Sequence, residues 1–247
     1  MITDPSPPPP DDSKTSKPLS ASPATDSSKI LIFHATTYPL PAAHIAQFRE
    51  CINPAYTLSE KGLFDHLRIP DEDATEFLTP GRWIFACYVP NSTPKDGSEP
   101  LLQPATDYLG ITHDLTGYSM AGTVSISMPP YPRTPYTPGF PIFPGTLEVD
   151  EFHLHLLVTS VNHKQIGVAA RLLNAVQDFA ASRIPKGKQG KIVGEVLEEV
   201  GNVPYYVRRG FIQEGEKWCC PPGTWGSIER FHLRRMVRRV EGCATEG

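Results

Sequence analysis

The stretch EFHLHLLVTSVNHKQIGVAARLL, residues 151–173, begins as a strand and ends as a helix. In an extended chain Phe152, Leu154, Leu156 and Val158 fall on one face, and His153, His155, Leu157 and Thr159 on the other. The first set is wholly apolar and is expected in a core. The second carries two imidazoles in register, where the sheet should meet something polar. A lone histidine there is more often a hydrogen-bonded structural residue; two in register suit proton transfer near neutrality. A zinc reading lacks its third ligand, since Cys219, Cys220 and His232 stand at no recognisable metal spacing.

The turn KQIGVA (164–169) places the backbone N–H groups of Gln165 to Ala170 at the start of a helix striped by Val168, Leu172, Val176 and Phe179. Such donors have no intrahelical partner and lie at the positive end of the helix dipole, so they suit a pyrophosphate. Gly167 permits close backbone approach, and Ala169 and Ala170 leave room beside it. Taken alone, an ordinary strand–helix turn is the plainer reading. A dinucleotide fold would want G-x-G-x-x-G, and only one glycine is present.

Outward from this segment, ILIFHA (30–35) reads as a strand, and PAAHIAQFRECINPAY as a helix with Pro41 in its first turn and Ile45, Phe48 and Ile52 at helical spacing. TLSEKGLFDHL suggests a second, shorter helix. RWIFACYVP (82–90) is a strand, and DYLGITHDLT (107–116) is expected to pair with it. Residues 117–146 are rich in Pro and Gly and read as an insertion loop, with regular structure limited to TVSIS. GKIVGEVL (190–197) is a further strand, and NVPYYVRRGF a short helix stopped at Gly210. FIQEGEKW and SIERFHLRRMV close the sheet as a hairpin-like pair. In the short helix Tyr205 is read as packing, while Tyr206, four residues before Gly210, could present its phenol to a cleft.

Composition narrows the class. The chain has 247 residues, enough for one domain and a tail. Its 27 prolines are about twice the usual ~5% share, many of them in residues 1–29 and 117–146. Residues 1–29 hold almost nothing to bury and are expected to be disordered. The net charge of −4 leaves no nucleic-acid footprint. No apolar run approaches the ~20 residues of a membrane span. Five cysteines without framework spacing and no secretory start point to a reducing, cytoplasmic compartment.

The strand–turn–helix followed by VPYYVRRGF resembles the GNAT superfamily of acyl-CoA N-acyltransferases. KQIGVA is similar to its phosphate motif, with Lys164 in a place usually held by Gln or Arg, and Tyr206, Gly210 and Phe211 match a later one. HLHLLVT resembles the His-x-His strand of arylalkylamine N-acetyltransferases, and GRWIFACYV is similar to an earlier strand of that family. The resemblance implies a mixed α/β (α+β) fold, a splayed sheet of six or seven strands with about four helices, over residues 30–240, and a short tail at 241–247. It implies acetyl-CoA as co-substrate, its pantetheine arm on the backbone of Leu157, Val158 and Thr159 and its pyrophosphate on Lys164, Gln165, Ile166, Gly167, Val168, Ala169 and Ala170. His153, His155 and Tyr206 would be catalytic, and Leu157, Val196 and Leu197 would touch the acceptor. The acceptor would be a primary amine, arylalkylamine before polyamine or protein amine, with no metal and a monomer or weak dimer; a non-catalytic acyl-CoA-binding module is the alternative of a different class.

Overall fold

The computed structural model describes residues 27–60, 62–70, 74, 78, 81–91, 102–128, 151–164 and 166–244. The apolar run KILIFH forms edge strand β1 (Lys29–His34), antiparallel to β2 (Arg82–Pro90). Between them runs helix α1 (Ala42–Ser59), with Pro41 as its N-cap residue and His44, Phe48, Cys51 and Ile52 buried. The separate helix expected over TLSEKGLFDHL does not form. Instead α1 continues through Pro54 to Ser59, and residues 62–70 make turns and bends. Pro54 removes one intrahelical bond, but Ile52 before it and Tyr56 after it pack into one apolar cluster and hold the axis.

The partner expected for β2 is also different. Short strands β3 (Ala105–Thr106) and β4 (Thr112–His113) form a separate two-stranded sheet. Gly110 turns that hairpin at φ +77°, and the Asp107 carboxylate accepts from the Leu109 and Ile111 N–H groups and from His113 Nε2. β2 pairs with β5 (Tyr118–Ser127), a ten-residue strand inside the segment read as a loop. Residues 129–146, the rest of that insertion, and residues 147–150 after it lie outside the described residues, as do residues 1–26 of the N-terminal tail.

Strand β6 (Glu151–Thr159) and helix α2 (Val168–Arg183) take up the opening segment, joined by a 3₁₀ turn at Val161–His163. β7 (Gln189–Leu197), helix α3 (Val203–Arg208), β8 (Ile212–Gln213), β9 (Trp218–Cys220) and β10 (Phe231–Glu241) complete the chain. The order is β1-β2-β5-β6-β7-β10-β8, with β9 also on β10. Only the β6–β7 pair is parallel among the described strands. The result is a mixed eight-stranded sheet with α1 on one face and α2 on the other, two of its strands only two or three residues long.

The alternation read for β6 breaks in its middle. Leu156 has φ +52°, and the β5–β6 register slips between Thr123 and Ser125, so one extra residue of β6 bulges out. Phe152 and Leu154 pack with α2, whereas Leu156 and Val158 pack with α1. His153 and His155 therefore share the α1 face with Leu156, and Leu157 turns to the α2 side. All four expected core residues are buried, in two cores rather than one.

Gly122 of β5 fixes how closely these layers approach. A Cβ there would lie 2.5 Å from Val168 Cγ1 at the start of α2 and 2.7 Å from the Val158 carbonyl oxygen. The backbone oxygen cannot swing away, so Gly122→Ala is expected to cost about 1–3 kcal/mol, the usual range for overpacking. Gly194→Ala is the control, because its Cβ would meet Leu154 at an ordinary 3.6 Å. Urea unfolding of both variants checks this; equal stability of the two would show that the layers adjust freely.

Candidate functional site

The β6–β7 ladder runs from Glu151↔Lys191 to Leu154↔Gly194 and then stops. β6 stays paired to β5 as far as Thr159, and β7 to β10 as far as Leu197. The two strands thus splay while each keeps its outer partner. Between them lies a cleft of about 470 Å³. β6 lines it from Leu154 to Thr159, β7 from Gly194 to Leu197, α1 from Ala55 to Glu60 apart from Thr57, and Lys164, Val200, Asn202 and Tyr206 complete it.

At one end stands the α2 turn. Gly167 is the N-cap residue at φ +79°, ψ 10°, a left-handed conformation that disfavours side chains. A Cβ there would meet nothing within 4 Å, so the turn itself requires the glycine. The first intrahelical bond is Arg171 N–H to the Gly167 carbonyl. The N–H groups of Val168, Ala169 and Ala170 precede it and have no partner within the helix. Lys164 and Ile166 are exposed beside them; Gln165 lies outside the described residues.

The histidines stand on the α1 face of β6. His155 lines the cleft, and its Nε2 is 2.9 Å from Ser127 Oγ. Burial holds its pKa well below the ordinary imidazole range, and Arg82, His153 and Arg68 push the same way. His153 is one step back from the cleft, and its Nε2 donates to Glu151 Oε2 at 3.3 Å. Arg235 Nη2 donates to the other oxygen, Glu151 Oε1, at 3.0 Å. Glu195, the first residue of β7 past the ladder, lines the cleft near His153 and Arg235; burial raises its pKa against the opposing influence of those two residues. The two histidines are therefore not equivalent.

Tyr206 reaches the cleft from α3. Gly210, at φ +80°, turns the chain so that Phe211 is buried with its ring edge-on to Tyr206 at 5.3 Å. Phe211 N–H also donates to the Tyr206 carbonyl. Burial, with Tyr56 and Tyr205 adding to it, raises the phenol pKa, so Tyr206 holds its proton through neutral pH. Val196 and Leu197 both line the cleft but on opposite faces, Val196 in the α2 core and Leu197 against the Phe231 cluster. Leu157, Val158 and Thr159 present the β7-facing edge of β6 beyond the last ladder pair. Sequence reading missed Tyr56 and Glu60, which sit at the end of α1.

Comparison by sequence returns nothing: no family model and no curated protein matches the chain. Comparison by structure does. A protein from Acinetobacter baylyi ADP1 assigned as an acetyltransferase aligns over 90% of this chain and 98% of its own, with TM-score 0.51 and 12% identity. The chain has that fold. Looser likenesses include a GNAT-family acetyltransferase from Streptococcus pneumoniae (14% identity, 86% and 99% coverage, TM-score 0.47) and an acyl-CoA N-acyltransferase from Pseudomonas aeruginosa (12%, 84% and 99%, 0.46). Among the described residues no helix is long and apolar enough to cross a membrane.

The depressed pKa of His155 carries a linkage consequence. Above the unfolded value near ~6.5 the ring is neutral in both states and folding loses nothing. As pH falls from there toward the lower folded value, the unfolded chain takes up a proton that the folded chain does not, and stability drops. Between pH 7.5 and 5 the melting temperature should fall more steeply for the parent than for His155→Gln. Parallel slopes in thermal melts would mean that His155 titrates as it does in water.

Proposed function

We propose that the chain is an acetyl-CoA-dependent N-acetyltransferase acting on a primary amine, by direct attack in a ternary complex. The observation that carries this reading is the splay after Leu154 and Gly194. It leaves the β7-facing edge of β6 without a strand partner over His155–Thr159. An extended ligand with amide groups can pair with that edge as an added strand would. The slot leads to the start of α2, where free N–H groups and Lys164 suit a pyrophosphate. Acetyl-CoA has both parts and supplies the thioester.

The remaining steps belong to the chain. An alkylammonium, with a pKa near ~10 like that of lysine, must lose a proton before it attacks. His155, neutral at physiological pH and on the cleft wall, accepts that proton directly or through water; His153, held by Glu151, is the second member of the relay. Tyr206, protonated throughout this range, donates to the departing thiolate. Because the His155 pKa is depressed, the ring stays a competent acceptor well below pH 6.5, and a rising kcat/KM limb above that value belongs to the amine. The arylalkylamine reading rests on the HLH strand and VPYYVRRGF. The buried carboxylates of the cleft fit any cationic acceptor, polyamines included.

Thiol release from acetyl-CoA with tryptamine-like amines, spermidine and a lysine peptide tests the reaction and ranks the acceptors. Acetyl-CoA binding without release would leave a non-catalytic acyl-CoA module. Ala169→Glu separates phosphate binding from helix integrity: an acidic first turn should leave the fold as stable or up to about 1 kcal/mol more so, yet weaken acetyl-CoA binding in calorimetry. Unchanged affinity would remove the pyrophosphate from this turn.

Changing both His153 and His155 to Gln should slow kcat/KM about 10²-fold or more at neutral pH, the scale of general base catalysis. The deficit should shrink as pH nears the amine's own pKa. Tyr206→Phe should lower kcat with little change in acetyl-CoA affinity. Parental rates in a folded double variant would make the histidines structural.

A further inference from the structure

The cleft adjoins a second cavity of about 310 Å³, and Tyr56 and Glu60 line both. Glu60 is the C-cap residue of α1, its N–H bonded to the Tyr56 carbonyl at 2.7 Å. The residue is 7% exposed, and its Oε1 has no hydrogen-bond partner among the described residues. Arg68 is close enough to pull the carboxyl pKa down, as is His66, but burial outweighs both and raises it. The Arg68 guanidinium lies over the Tyr56 ring at 5.1 Å and over Trp225 at 5.7 Å, and no ion pair joins it to Glu60. His66 pairs with Asp65.

A buried carboxylate oxygen with no donor is costly unless a ligand supplies one. Two further features favour a cation there. The C-terminus of an 18-residue helix carries partial negative charge, and the last turn of α1 has no basic side chain. Beside Thr57, Asp65, His66 and Arg68, the second cavity offers the apolar and aromatic surfaces of Tyr56, Phe64 and Leu67, and Leu58 stands at the rim of the first.

Resting on the acetyltransferase reading above, we propose that Glu60 is the docking carboxylate for the ammonium group of the acceptor. The acceptor is then a protonated primary alkylamine whose apolar or aromatic tail lies against Tyr56, Phe64 and Leu67. Docking at Glu60 brings the ammonium into the space it shares with His155 and Tyr206. Glu60 selects for charge, and the histidines then remove it.

The test is Glu60→Gln, which keeps shape and removes charge. Acceptor KM, kcat and acetyl-CoA affinity are measured alongside calorimetric binding of the best amine and of its uncharged analogue with methyl in place of the ammonium. The expected result is a rise of about 10- to 100-fold in KM and in the amine dissociation constant, the usual worth of a hydrogen bond to a charged group. kcat, acetyl-CoA affinity and binding of the uncharged analogue should hold. Glu60→Asp should recover part of the amine affinity. Equal weakening of amine and analogue would make Glu60 a structural residue, and a fall in kcat at constant KM would make it a proton carrier; either overturns the proposal. Calorimetry reads Glu60 even without turnover, so parental amine binding with no acetyl transfer sinks the enzyme reading while leaving the docking site to stand or fall by the variant.

Discussion

Parallel pairing between β6 and β7 ends at Leu154 and Gly194, and the cleft depends on that ending. Neither strand is loose beyond it, because β5 and β10 still hold their outer edges. The bulge at Leu156 accompanies the separation: a non-glycine residue at φ +52° costs on the order of 1–3 kcal/mol and persists because Leu156 and Val158 gain the α1 core in exchange. The same bulge places consecutive residues, His155 and Leu156, on one face. Without it β6 would carry Leu157 and Thr159 toward α1 instead of Leu156 and Val158. The strand that opens the cleft is thus also the one whose irregularity sets what faces it.

Most of the framework could be read from the residues. The strand–turn–helix of 151–173, the apolar β1, β2 and β7, and the Tyr206–Gly210–Phe211 arrangement each carry local signals of periodicity or turn chemistry. β5 did not. Its Ser119, Gly122, Ser125 and Ser127 look like loop composition, yet Gly122 is required by the packing of α2, and Ser125 and Ser127 stand opposite His155 and His153 of β6. Only the alternation in TVSIS hinted at a strand there. Pro54 misled in the opposite direction: it looks like a helix boundary, but tertiary contacts on either side carry α1 through it. The bulge itself leaves no mark in the sequence, because Leu156, Leu157 and Val158 are all apolar and either face could take any of them.

The candidate site divides along the same line. His153, His155, Tyr206 and the α2 turn were legible because each belongs to a motif with its own local logic. Glu60 was not, since its burial arises only when α1 is laid across the splay and residues 62–70 fold over its end. A helix C-terminal glutamate reads as solvated in any linear inspection.

Charge is placed against the grain throughout this face. Glu151 and Arg235 are mostly buried, and their pairing is continued outward by Arg235 Nε to the half-exposed Glu214. A buried pair of this kind adds little net stability, because desolvation offsets much of the attraction. What it does supply is orientation: Glu151 is held by Arg235 through one oxygen and so offers the other to His153. Burial, with the positive Arg82 and Arg68 adding to it, lowers the pKa of His155, while the acidic members lie toward His153. One imidazole, His155, thus stands on the cleft wall, and the other, His153, is hydrogen-bonded to Glu151 behind it.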